Sequence, residues 1–379
     1  MKIAKSIMGV ILTLFILFTT DVAMAGLVGV KGLSQEWVER FKDIGKFNEY
    51  ASKKAIHLDD AKIFGLDISN ARMPQASFYN TDWSEVKIER AELSNTSITK
   101  SKLQNVSFDY SRLTDVTFED AELRSTSFYR AKLVRVKFIR CKLNGVNIDE
   151  TVESDIEITD TKVLSSSLSE GQLNASIRNS TLTDVELTDL VAPSFLTFEK
   201  SQLSEVNADR SNLSRLVVTG SEVDATFKNT TIDRAEFSNS ILDVSLSESK
   251  IDSIEISKSK IKTFRMNSAK VASVIIDRCD QTANFGFYKA TLQKIQIDHS
   301  TLNELELAKA SIDSLAISDT VLLNNNFKNM RAKHVSLQNV TFDGKMDFTK
   351  SNIDALDVKG LTKRSGLQLL TTESNAKFE

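Results

Sequence analysis

The sequence predicts a solenoid, and three observations predict it. A large apolar residue recurs every five residues from about Ile63 to Val358, most plainly as Leu123, Phe128, Leu133, Phe138 and Leu143. A small or β-branched residue stands two places before each of these: Ala121, Thr126, Ala131, Val136 and Cys141. Only 2 prolines and 13 glycines occur in 379 residues, so no stretch reads as a linker. A period of five fits neither a helix nor a strand. A fixed short repeat marks units that complete their core only against their neighbours. Such an array also removes the expectation of two or three globular domains at this length, because a solenoid has no single core to outgrow.

Residues 1–25 read as a secretory signal. Lys2 and Lys5 precede the apolar run IMGVILTLFILF, and Ala23-Met24-Ala25 offers a cleavage site between Ala25 and Gly26. The run is about a dozen residues, short of the roughly 20 that a spanning helix needs. No cysteine follows the site, which argues against a lipoprotein. The expectation is a periplasmic or secreted protein with no transmembrane segment after cleavage. Loss of the signal leaves a net charge of about −4, high in gross charge but balanced, which excludes a global polyanion or polycation.

Residues 26–60 form an expected N-terminal cap. Within them, residues 34–55 read as one helix, with Ser34 as N-cap and Trp37, Phe41 and Ile44 along one stripe. Such a helix would cover the first open coil and its strand edges. The repeat occupies 61–360. Its phase is unbroken from Ile63 to Leu173 except at Glu153, then slips by one near 173–177, 192–198, 223–227, 242–246, 281–287 and 342–348. Residues 361–379 lose the pattern and are expected to be a tail or C-terminal cap.

These units, small-x-Leu/Phe-x-x, resemble the pentapeptide-repeat family over most of the mature chain. The resemblance implies an all-β fold: a right-handed quadrilateral β-helix with one unit per side, twenty residues per coil and about 15 coils. The chain departs from the family pattern in rarely placing Asp or Asn just before the central residue. That weakens any link to the DNA-mimicking members that protect type II topoisomerases.

The twenty-residue coil is testable within the sequence. Lys62, Asp82, Lys102, Glu122 and Lys142 would stack about 4.8 Å apart and alternate in sign, as would Arg72, Glu92 and Arg112. Opposite charges on neighbouring strands are favoured and like charges disfavoured. Leu103, Leu123 and Leu143 would share one side, and Phe108 and Phe128 the next.

The same stacking weighs the candidate sites. Arg124, Arg130, Lys132, Arg135, Lys137, Arg140 and Lys142, with Tyr129 among them, have the composition of a polyanion site. Acids lie twenty residues away on both flanks, including Asp115, Asp120, Glu150, Asp155, Glu157 and Asp160, so these charges are expected to be compensated within the solenoid. Glu153 falls on an inward position, and an outward bulge is preferred there over a metal site with Glu150 and Asp155. Lys258, Lys260, Lys262, Arg265, Lys270 and Arg278 are compensated less well and form the expected face for an anionic partner. Cys141 and Cys279 occupy the small inward slot and would lie on the order of 30 Å apart, beyond the reach of a disulfide. His57, His299 and His334 lack metal-ligand spacing, and no nucleophile elbow or phosphate loop occurs, so no catalytic residue, metal or cofactor is expected.

The functional expectation is an exported, non-catalytic scaffold that presents a rigid repeat surface to a protein or an anionic glycan or lipid. The alternative is a secreted, host-directed effector. A DNA mimic and a β-helical polysaccharide-acting enzyme are ranked below both, and nucleic acid is disfavoured as a partner. Oligomeric state is open, an end-to-end homodimer being the arrangement considered.

Overall fold

A computed structural model describes residues 29–31, 35–281 and 284–378. The signal segment with its Ala25/Gly26 site, and the expected N-cap Ser34, lie outside these residues. The chain divides into two compact units, Met1–Asn147 and Ile148–Glu379. Both are built almost wholly of short parallel strands wound as a four-sided β-solenoid, about 16 turns in all.

In the first unit each coil takes twenty residues. Side one carries Lys62–Phe64, Asp82–Ser84, Lys102–Gln104, Glu122–Arg124 and Lys142–Asn144, paired rung on rung. Side two is a column of single bridges through Asp67, Lys87, Ser107, Ser127 and Asn147. Sides three and four merge into eight-residue strands such as Arg112–Glu119 and Lys132–Ile139. The predicted charge ladders are therefore true neighbours, with Lys62 at 3.6 Å from Asp82 and Arg72 at 3.7 Å from Glu92. The core stacks in the same register. Leu103, Leu123 and Leu143 form one buried column, and the Phe108 and Phe128 rings lie parallel at 5.0 Å.

The corners explain how five residues turn a right angle. The second residue after many central positions is left-handed, including bulky side chains such as Arg90 (φ 54°), Lys100 (φ 51°) and Arg135 (φ 54°). That conformation disfavours a non-glycine residue by roughly 1–2 kcal/mol. Here it is held by ladder hydrogen bonds to the next coil, as from Arg90 N–H to the Asp109 carbonyl (2.9 Å).

In the second unit the register shifts where the sequence phase slips. Leu203 pairs with Val223 but Val206 with Ala225, and Asn174 pairs with Phe195. Its small inward slot is filled by serines that relay hydrogen bonds along the core. Ser201 N–H donates to Ser221 Oγ (3.0 Å), Ser221 N–H to Ser240 Oγ (3.2 Å) and Ser240 N–H to Ser259 Oγ (3.2 Å). Glu153 is exposed, and Ser154 occupies the inward place instead, bonded to Thr151 Oγ1 at 2.7 Å. The outward bulge follows from the cost of burying a carboxylate.

The expected single helix over 34–55 is two helices, α1 (Gln35–Lys42) and α2 (Ile44–Lys53). The break is at Asp43, whose carboxylate accepts from Gly45 N–H and Lys46 N–H as the N-cap of α2. Phe41, Phe47 and Ala51 are buried. Asn48 substitutes for a missing strand: its amide donates to the Asn70 carbonyl (3.1 Å) and accepts from Arg72 N–H (2.7 Å). Asn375 repeats this device near the other terminus, accepting from Ile353 N–H (2.8 Å) and donating to the Ile353 carbonyl (2.7 Å). Two short strands, Thr362–Lys363 and Gln368–Leu370, continue the parallel ladder past the end of the five-residue pattern.

Candidate functional site

The coil distributes the six expected cations over several sides, and all six are exposed. Lys258 (φ 49°) and Arg278 (φ 51°) are successive corner residues, with Lys258 N–H donating to the Asp277 carbonyl (3.0 Å). Strand Lys260–Arg265 carries Lys260 and Lys262 on side one and Arg265 on side two. Lys270 begins strand Lys270–Asp277 on side three, across the coil from Lys260. Lys250 and Lys270 are direct register partners, a like-charged pair as the stacking rule expects.

Two of the six are neutralised locally. The Arg278 guanidinium bonds to the carboxylate of its neighbour Asp277 (Nε–Oδ2 2.8 Å). The Lys262 ammonium reaches back two coils to Glu222 (2.9 Å). That hydrogen bond, and the attraction of the same carboxylate, raise the Lys262 pKa. Lys258, Lys260, Arg265 and Lys270 make no ion pair among the described residues. Lys260 has Asp280 as a register neighbour, and Lys270 stays on the far side. The cations left without an ion pair along this stretch of coil are thus Lys258, Lys260 and, around one corner, Arg265.

Next to Arg278 lies an open depression of about 320 Å³ lined by Asp277, Arg278, Asp298 and His299. His299 stands 3.6 Å from Asp277 Oδ1 and 3.9 Å from Asp319 Oδ2, on the next corners of the same edge. Asp298 accepts from Gln296 Nε2 (2.7 Å) and from Ser318 Oγ. Its oxygens are thereby held within the protein. The sequence alone does not single out His299, because the two acids that it faces, Asp277 and Asp319, are one coil distant in the chain. The twenty-residue rule was the signal that could have found this group.

The basic coil of the first unit behaves as expected on its preceding flank. Arg135 forms a two-pronged contact with Asp115 (2.6 and 2.7 Å), and Arg140 bonds to Asp120 (2.8 Å) and Glu119. The hydrogen bonds from Arg135 and Arg140 hold the carboxyls of Asp115 and Asp120 below the usual range. Cys141 and Cys279 are free and buried, and burial pushes both thiols up to about 11. Each thiol donates to backbone carbonyls in the slot used by the serines, as from Cys141 Sγ to Ile139 O (3.3 Å) and Cys279 Sγ to Asp277 O (3.4 Å). Among the described residues no group of three or more His, Cys, Asp or Glu is placed to hold a metal ion, and no helix is long and apolar enough to cross a membrane.

Residues 71–148 match the protein family described as "Pentapeptide repeat region". Over these residues the chain shows the expected likeness to that family. No curated protein sequence matches the chain. Among solved structures, QnrB1, a plasmid-mediated fluoroquinolone resistance protein, is similar at 17% identity, covering 52% of this chain and 92% of its own, with a TM-score of 0.30. HetL, a pentapeptide repeat protein involved in heterocyst differentiation regulation from the cyanobacterium Nostoc sp. strain PCC 7120, is 15% identical over 64% of this chain and 86% of its own (TM-score 0.20). The A-module of the Azotobacter vinelandii mannuronan C-5 epimerase AlgE6 is 10% identical over 88% and 96% (TM-score 0.31). Likenesses at these TM-scores carry no argument about activity.

Proposed function

We propose that this protein is an exported, non-catalytic β-helical scaffold that binds an anionic partner through Lys258, Lys260 and Arg265. One observation carries the reading: these three cations follow one another along one stretch of coil, are exposed and make no ion pair among the described residues. Paired surface charges add little free energy and offer little to a ligand. Cations that are not ion-paired attract an anion over about a Debye length, roughly 8 Å at physiological salt. The rigid coil holds them at fixed spacing, so little ordering is needed on binding.

The test uses the mature chain and the variant Lys258→Ser/Lys260→Ser/Arg265→Ser. Binding is measured to a soluble polyuronate and to phosphatidylglycerol vesicles, at low and high salt. The reading expects salt-sensitive binding to at least one probe, lost in the variant. Binding that is absent, or equal in the variant, removes it. Fractionation of cells producing the chain with and without residues 1–25 tests export, and cytosolic retention of the full chain would contradict it.

A further inference from the structure

The repeat places apolar side chains inside and polar ones outside, and the second unit breaks that rule in one place. Val152, Val191 and Phe195 are 73%, 52% and 42% exposed, three of the four large apolar side chains exposed among that unit's described residues. Ala192 and Pro193 beside them are exposed as well. Concentrated apolar exposure of this kind marks interaction surfaces, unlike scattered single residues.

The local geometry puts the two valines on one outward column. Gln172 N–H donates to the Thr151 carbonyl (3.3 Å) and Val191 N–H to the Gly171 carbonyl (3.0 Å). Val152, Gln172 and Val191 are thus register neighbours on successive rungs, and Thr151, Gly171 and Leu190 are the buried residues just before them. A Cβ on Gly171 would come within 2.5 Å of the Thr151 carbonyl oxygen, so only glycine fits. The middle rung carries Gln172 on the outside, half-buried, while Gly171 lies inward. Two exposed valines flank it, roughly 10 Å apart at two strand spacings.

Alongside that column, Asp155, Asn174 and Phe195 occupy one outward position on three adjacent rungs. Asp155 is exposed and makes no ion pair among the described residues. Asn174 Oδ1 is buried without a hydrogen-bond partner, a costly state for a polar atom. Arg215, on the next rung, bonds to Glu236 instead (3.0 Å). Glu170, at the corner just before Gly171, is also exposed and without an ion pair among the described residues.

A carboxylate, an orphaned acceptor and an exposed ring on successive rungs share one complement, a planar cation rich in donors. We propose that this face binds an arginine-bearing segment of a protein partner. The guanidinium lies over Phe195 and donates to Asp155 and Asn174 Oδ1, and a neighbouring aliphatic side chain packs against the exposed Val191. A second copy would set Asp155 and Glu170 against themselves across a twofold axis. An anionic membrane would meet the same carboxylates. The inference is independent of the Lys258 corner, which is opposite in charge and reads a different ligand.

The test is fluorescence anisotropy of the mature chain with a short peptide library fixed at a central arginine flanked by aliphatic residues. A matched library carries citrulline in place of arginine. The proposal expects the arginine library to bind, and citrulline to weaken binding about tenfold or more. Phe195→Ser and Asp155→Asn should each weaken it about fivefold or more. Equal binding of the two libraries, or no binding of the first, overturns it. So does Asp155→Asn binding unchanged, and that isosteric variant carries the test if Phe195→Ser fails to fold. Self-association or vesicle binding abolished by Phe195→Ser would overturn it in favour of a second copy or a membrane.

Discussion

Within each unit of five, two residues point inward, and the smaller one proves more than a spacer. Ser201, Ser221, Ser240 and Ser259 accept a backbone N–H from one coil while their hydroxyls face carbonyls near their own position, as from Ser201 Oγ to Glu199 O (2.9 Å). Cys141 and Cys279 fit the same slot because a thiol has similar size and also donates. Their burial has a measurable consequence. At pH 8, iodoacetamide should leave both thiols unmodified in the native chain and alkylate both in urea, as intact mass would show. The folded thiol titrates near 11 against an ordinary 9.0, so the unfolded chain ionises first. Stability from this source is whole below about pH 9 and is lost as pH rises toward 11. Thermal melts should therefore fall from pH 9 upward, and a Cys141→Ser/Cys279→Ser variant should fall less. The inward slots were legible in the sequence because the period places them. The relay was not, since alanine, serine and cysteine satisfy the same spacing.

At the scale of elements, the ends carry the most specific devices. A strand edge left open offers unpaired N–H and carbonyl groups. Asn48 on α2 and Asn375 near the C-terminus each close part of one with a two-bond amide contact. Asn48→Ala and Asn375→Ala should each cost about 1–2 kcal/mol. They should also speed amide exchange at Arg72 and Ile353 respectively, leaving coil-interior amides unchanged. The cap itself was legible from Trp37, Phe41 and Ile44, but its division at Asp43 was not. An aspartate within an apolar stripe reads as a solvent-facing residue until its oxygen is seen on Gly45 and Lys46. The anomaly at Glu153 was legible as a conflict between charge and an inward position. Its neighbourhood was not, because Val152 and Val191 come onto one outward column only through the rung order at Gln172.

For the whole molecule, a solenoid's stability is a sum over neighbouring turns. Phe128 shows the consequence, since its ring contacts Phe108 at 5.0 Å, Phe118 at 6.0 Å and Phe138 at 6.2 Å, all in the first unit. Phe128→Ala should cost about 3–5 kcal/mol. Hydrogen exchange should locate that loss in residues 97–147 and leave residues 220–340 as in the parent. The surface follows the same neighbour rule, which made most of the charge ladders readable in advance. It failed at Lys262, whose flexible stem passes over the adjacent coil to Glu222 on the second one. With Arg278 bonded to Asp277 and Lys270 on the far side, that contact narrows the expected anionic-partner face to Lys258, Lys260 and Arg265.

The central claim is that ladder pairing separates structural charge from binding charge. The most direct measurement compares two triple variants for polyuronate affinity at low salt, one removing unpaired cations (Lys258→Ser/Lys260→Ser/Arg265→Ser) and one removing paired ones (Lys62→Ser/Arg72→Ser/Arg135→Ser). Both lose three positive charges, so net charge is matched. The account predicts that the first loses at least about tenfold in affinity and the second stays within about twofold of the parent. Equal losses in the two variants would contradict it, because binding would then follow net charge and not the arrangement of the coil.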